Sequence, residues 1–136
     1  MVSKDELFDM AIVAKENAYA PYSQFRVGAA LLGKSGRVFY GVNVENASYG
    51  LSICAERSAV CAAVTAGERQ FELLALAGDD NAQIVPCGAC LQVLAEFSPQ
   101  LLLLLPDTHH TYKEINLQQL LSTPFCLNKN LKGENV

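Results

Sequence analysis

Near the start of the chain, Leu7, Phe8, Ala11, Ala14 and Ala18 recur at the three- and four-residue steps of a helix with one apolar face. Ser3 and Glu6 have the spacing of a capping box, and Pro21 disfavours helix just before it, so the pattern predicts a helix from about Lys4 to Ala18. Arg26 to Leu32 and Arg37 to Val42 then read as strands. Gly33-Lys34-Ser35-Gly36 separates them as a turn, which makes the pair a hairpin. Cys54 to Ala66 has high helix propensity, with Gly67 in the C-terminal capping position. Glu72 to Ala77 is a buried strand by its apolar run, and Gly88 to Phe97 a further helix closed by Ser98-Pro99. The run Leu101 to Leu105 reads as a central strand, covered on both faces. Thr111 to Ile115 reads as an edge strand, and Asn116 as the cap of a short helix through Leu121. Strands interleaved with helices predict an α/β protein, a sheet with helices packed on it.

Composition narrows the picture without changing it. The chain has 136 residues, 51% of them hydrophobic and 18% charged, which suits one domain with one sizeable core. Residues 1–127 carry the pattern, and 128–136 form a polar tail. The net charge of −4 comes with no basic stripe to follow a phosphate backbone, so a small substrate is expected rather than nucleic acid. The N-terminus lacks the basic start and apolar run of a signal peptide, and no apolar stretch is long enough to span a bilayer. A cytoplasmic protein with no membrane contact is expected. In that compartment five cysteines point to metal binding or catalysis rather than to disulfides, and an odd number does not close a disulfide framework.

Cys87-Gly88-Ala89-Cys90 opens one of the predicted helices. Residues three apart share a helix face, so both sulfurs can reach one ion. A helix N-terminus also lowers thiol pKa and favours the thiolate that metals need. Pro86 stiffens the approach and fixes the direction of the Val85 carbonyl. Alone, this pair is equally a redox dithiol, half of a structural zinc site or a packing coincidence. Cys54-Ala55-Glu56 opens a second helix. Two helix N-termini converging on one ion would give three thiolates and an open fourth position, the mark of a catalytic zinc. Cys61 lies about 10 Å along its own helix from Cys54, so it cannot close the fourth position, and it reads as core. Three thiolates raise the pKa of a zinc-held water again. Arg57 offers a remedy by donating to the cysteine sulfurs. Glu56 is then the proton shuttle, as base and afterwards acid.

C-x-E followed at a distance by P-C-x-x-C resembles the signature of zinc-dependent deaminases. More blocks extend the resemblance: Ala20-Pro21-Tyr22-Ser23-Gln24-Phe25-Arg26-Val27-Gly28-Ala29-Ala30, Gly41-Val42-Asn43-Val44-Glu45-Asn46-Ala47, Cys54-Ala55-Glu56-Arg57 and Pro86-Cys87-Gly88-Ala89-Cys90 look like those of the short-chain, homotetrameric cytidine deaminases. The resemblance runs from the first helix to about Phe125. It implies a three-layer α-β-α fold with a mixed central sheet of about five strands. It also implies one Zn2+ per subunit, held by Cys54, Cys87 and Cys90. Zinc-activated hydroxide would attack C4 of cytidine or 2′-deoxycytidine, with Glu56 moving the protons.

Further roles follow from the resemblance, position by position. Asn43 and Glu45 would bind the ribose hydroxyls, and as residues two apart on an extended segment they project to one side. Phe25 would line the pyrimidine pocket. The Ala55 N–H and Glu56 would hold the base, and the Val85 carbonyl would face the leaving amine. Ala47, Tyr49 and Phe125 would reach or border a neighbouring subunit's site. Without the resemblance, Asn43 reads as a strand-end turn, Phe25 and Phe125 as core and Tyr49 as a loop aromatic. One departure is clear, because Leu91 stands where the family usually has Arg. His109 and His110 read as a solvated loop, and Cys126 has no assigned role. Rival readings are a blasticidin-type or other aminopyrimidine deaminase, a zinc-stabilised binding module and a redox dithiol.

Overall fold

The structure is a computed structural model, and it describes residues 1–81, 83–108 and 110–127. The polar tail at 128–136 and His109 lie outside the described residues. Helix α1, Lys4–Ala14, is capped as its sequence dictates: the Glu6 N–H donates to Ser3 Oγ at 3.1 Å and the Ser3 N–H to Glu6 Oε1 at 3.0 Å. It ends earlier than its apolar spacing predicts. Residues Lys15–Asn17 tighten into a 3-10 turn that leads the chain towards Pro21.

Strands β1, Val27–Gly33, and β2, Val38–Val42, form the predicted hairpin, with Gly36 at φ +93° in its turn. Helix α2, Ala55–Thr65, leads to β3, Phe71–Gly78. Helix α3, Gly88–Phe97, has the predicted boundaries. It crosses from β3 to the parallel strand β4, Leu102–Pro106, and β5, Tyr112–Asn116, pairs antiparallel at the edge. A single turn, α4, Leu117–Leu120, starts from the Asn116 cap.

The sheet order is β2-β1-β3-β4-β5, mixed because only β3 and β4 run parallel. The leucine strand is therefore interior but one place from the centre, which belongs to β3. Its side chains divide between two cores. Leu104 joins Leu7, Phe8 and Ala11 of α1 on one face, whereas Leu103 and Leu105 join Ala59, Ala63, Leu91 and Leu94 of α2 and α3 on the other. The result is the expected three-layer arrangement. Cys61 does not share in it. The buried face of α2 runs through Ala55, Ala59 and Ala63, and Cys61 lies off that stripe and is exposed, contrary to its assignment as core.

Two glycines let helices touch the sheet by backbone. A Cβ on Gly28 would stand 2.2 Å from the Ala11 carbonyl oxygen, and one on Gly41 would stand 2.2 Å from the Ala55 oxygen and 2.3 Å from the Ala59 nitrogen. The second contact seats the start of α2 directly on β2. The register places Gly78, Val27 and Val42 at one end of the sheet, where α3 follows β3. Chemistry in α/β sheets gathers at such an end.

Candidate active site

Cys54 reaches this end through a pinned loop. Val44 and Ile53 exchange backbone hydrogen bonds, each 2.9 Å, which closes the loop 45–52 and delivers Cys54 to the N-cap of α2. Cys87 caps α3 in nearly the same backbone conformation, φ −69° and ψ 166° against −74° and 156° for Cys54. Neither thiol caps the backbone of its own helix, which leaves both sulfurs free to converge. The sulfurs of Cys54, Cys87 and Cys90 lie within 4.8 Å of one another, and those of Cys87 and Cys90 are 3.5 Å apart. A tetrahedral zinc with Zn–S near 2.3 Å sets sulfurs about 3.8 Å apart, so the donor set and its spacing fit one ion. Among the described residues this group has three members, and Cys90 is buried while Cys87 is exposed, which leaves an open side.

Charge around Cys54 suits a thiolate. Arg57 Nη2 donates to Cys54 Sγ at 3.5 Å, and the Arg57 Nε is buried without a partner of its own. The Cys54 thiol is held down to about 5, first by the hydrogen bond from Cys90 and then by Arg57, against a burial cost. The Cys90 thiol is pushed up, because Cys54 and burial both favour its protonated form. Arg57 itself is held protonated by the same two sulfurs. Glu56 is 4% exposed, and its carboxyl lies above the usual range, mainly through burial and also through the negative Cys54 sulfur.

The expected substrate side is placed less simply. Asn43 Oδ1 accepts the Val27 N–H at 2.9 Å and its Nδ2 donates to the Phe25 carbonyl at 2.9 Å. Glu45 accepts the Tyr22 and Ser23 N–H groups at 3.0 and 3.1 Å, and also the Ser23 hydroxyl, which lowers its pKa. Both side chains therefore frame the segment that carries Phe25. Each keeps spare capacity: one amide hydrogen and oxygen lone pairs for Asn43, oxygen lone pairs for Glu45. The Phe25 ring packs over Gly78, where a Cβ would come within 3.0 Å of it and 2.1 Å of Ile84. Glu45 and Tyr49 share a cavity of about 320 Å³ with Tyr22, Ser23, Asn46 and Ser52. A cavity of about 570 Å³ between α1, β2 and α2 contains none of the sulfurs. Ala47, Tyr49, Val85 and Phe125 are exposed on the single chain.

Comparison with known proteins places this geometry in a family. Residues 1–104 match the family model described as "Cytidine and deoxycytidylate deaminase zinc-binding region". The chain belongs to that family. A cytidine deaminase of Halalkalibacterium halodurans is 44% identical over 125 residues, covering 91% of this chain and 95% of the relative. One of Mycobacterium tuberculosis is 43% identical over 117 residues, 86% of this chain and 85% of that one. The crystal structure of a cytidine deaminase from Burkholderia pseudomallei superposes with a TM-score of 0.86 at 44% identity, covering 91% of this chain and all of that one.

Within the family frame, Leu91 is a core residue of α3, 6% exposed and packed with Leu94 and Ala95, so it sends no side chain to the sulfurs. His110 is exposed at φ 60°, in keeping with a loop role, and Cys126 is exposed. Spacing alone missed the clasp that holds the Phe25 segment from the other side. Arg26 donates to both Asp79 oxygens at 3.0 Å and to Glu16 at 2.8 Å, and its N–H reaches Asp79 Oδ2 at 2.9 Å. An Asp directly after a buried strand was the available signal.

Proposed function

We propose that this chain is a zinc-dependent hydrolase that converts cytidine and 2′-deoxycytidine to uridine and 2′-deoxyuridine with release of ammonia, as in pyrimidine salvage. The observation that carries it is the three-sulfur cluster with buried Glu56 beside it, at two converging helix N-termini, in a chain of the cytidine and deoxycytidylate deaminase family. Residues 1–127 act as one deaminase domain.

Cys54, Cys87 and Cys90 are the residues that hold the ion. When bound, zinc lowers the pKa of a water so that a nucleophile is available near neutrality. Everything else falls to this chain's own side chains. Glu56 takes the proton as the water oxygen bonds to C4, and gives it to N3 of the ring. It then takes the remaining proton from the new C4 hydroxyl and passes it to the amine, so that the C4–N bond breaks as the C4=O bond forms and ammonia leaves. A buried carboxyl with a raised pKa suits both duties, because it holds a proton between them. The Ala55 N–H orients the base and the Val85 carbonyl faces the departing amine. Arg57 draws charge from the sulfurs. Phe25 lines the pyrimidine pocket. Asn43 and Glu45 bind the ribose hydroxyls with the capacity their frame contacts leave.

Ala47, Tyr49 and Phe125 complete or border the site of a neighbouring copy in a homotetramer, which suits their exposure on one chain. A cytoplasmic setting, where thiols stay reduced, suits a three-thiolate centre. Ultraviolet assays with cytidine, 2′-deoxycytidine, cytosine and blasticidin test the assignment, together with metal content. Turnover of the two nucleosides with one zinc per chain is expected. No turnover of either nucleoside rejects it.

A further inference from the structure

Gln92 lies two residues beyond Cys90 on α3, half-buried, and both polar atoms of its side chain serve one distant residue. The Phe125 N–H donates to Gln92 Oε1 at 3.0 Å, and Gln92 Nε2 donates to the Phe125 carbonyl at 3.0 Å. Such a pair fixes a residue in position and orientation, because neither bond can rotate without breaking the other. Its target lies in a stretch, 121–127, with no helix or strand to hold it. Phe125 is nevertheless 70% exposed. The clamp therefore holds a large apolar group in water at a set point on the surface, which core packing does not require.

The cavity beside Glu45 is open in a single chain, since Tyr22 and Tyr49 on its wall are 48% and 76% exposed. Sites for small ligands bury most of their occupant, so such a wall calls for cover from elsewhere. We propose that Gln92 is a positioning residue: by clamping the Phe125 backbone to α3, it sets the ring where it covers the nucleoside site of a second copy of this chain. This inference rests on the deaminase reading with subunit-shared sites. Gln92 touches neither substrate nor zinc, and it acts through Phe125 alone.

A double-mutant cycle separates this role from general structural support. Gln92→Met keeps the side chain's length and removes both hydrogen bonds. Gln92→Met and Phe125→Ala are each expected to raise KM for cytidine roughly tenfold with kcat changed less than about twofold, a loss of binding rather than of chemistry. The double variant is expected to match Phe125→Ala. Amide hydrogen exchange at Phe125 is expected to quicken in Gln92→Met while zinc content and far-UV circular dichroism stay unchanged. Effects on KM that multiply, or a Gln92→Met enzyme with the wild-type KM beside a weakened Phe125→Ala, overturn the clamp. Gln92→Glu, which keeps only the acceptor, decides the matter if Gln92→Met folds poorly, and a wild-type KM there overturns it equally. A wild-type protein inactive on cytidine removes the deaminase reading itself, and this inference with it.

Discussion

Glu56 sits in the first turn of α2, a place where a carboxylate is ordinarily exposed and favoured by the helix dipole. Here it is buried instead, and burial raises its pKa above the usual carboxylate range. Glu56→Gln keeps the shape and removes the proton transfer, so turnover of cytidine is expected to fall by about 10²-fold or more with one zinc retained per chain. A zinc-stabilised module would lose nothing by the change. Arg57 donates to Cys54, and in the proposed mechanism it would draw electron density from the sulfurs and so keep the reactive water acidic. Arg57→Ala is expected to move the acidic limb of the pH–rate profile to higher pH, read from kcat/KM across pH 4 to 8, and an unmoved limb contradicts the tuning role. The three-cysteine cluster was legible in the sequence because metal chemistry fixes residue type and spacing together. The contacts of Asn43 and Glu45 were not. Their partners are backbone groups of residues 22 to 27 and the Ser23 hydroxyl, and no residue pattern records which polar group a side chain meets.

Elements were legible where their periodicity was strong, as in α3, and less so where a tighter turn ended the repeat, as after Ala14. What sequence spacing does not express is approach distance. Gly41 looks like one more strand residue, yet it is the seat on which α2 rests. Gly41→Ala drives a methyl group into the Ala55 and Ala59 backbone and pushes the Cys54 end of α2 off the sheet. An overpacking cost of about 1–3 kcal/mol is expected by denaturant titration, with weaker zinc retention against a chelator. The clasp between β1 and β3 has its own signature. Asp79 is held down to about 2 from an ordinary 3.8, first by its hydrogen bond from Arg26. A depressed carboxyl stabilises the fold fully above its unfolded value and loses that contribution as pH falls through the folded value. Asp79→Asn is therefore expected to lower Tm by about 3–6 °C at pH 7, with the gap to wild type closing between pH 4 and 2. A gap that persists at pH 2 contradicts the charge argument.

At the scale of the molecule, the surface presents several large apolar side chains. Val13, Tyr40, Tyr49, Leu51 and Phe125 are each half exposed or more, consistent with the proposed homotetramer. Native mass spectrometry is expected to give four chains with four zinc ions. A monomer that turns over cytidine with the KM of the assembled protein removes the shared site. The three sulfurs also carry a lesson about manufacture. They come from two helices separated along the chain by β3, and only the finished sheet brings them within 4.8 Å. The cores on both faces of that sheet are apolar and need no ion to form. A zinc finger owes its shape to its metal; a chain with these apolar cores is expected to take its shape first and receive the ion afterwards. Protein stripped of zinc by a chelator is therefore expected to keep its far-UV circular dichroism and to regain turnover on addition of zinc alone, with no refolding step.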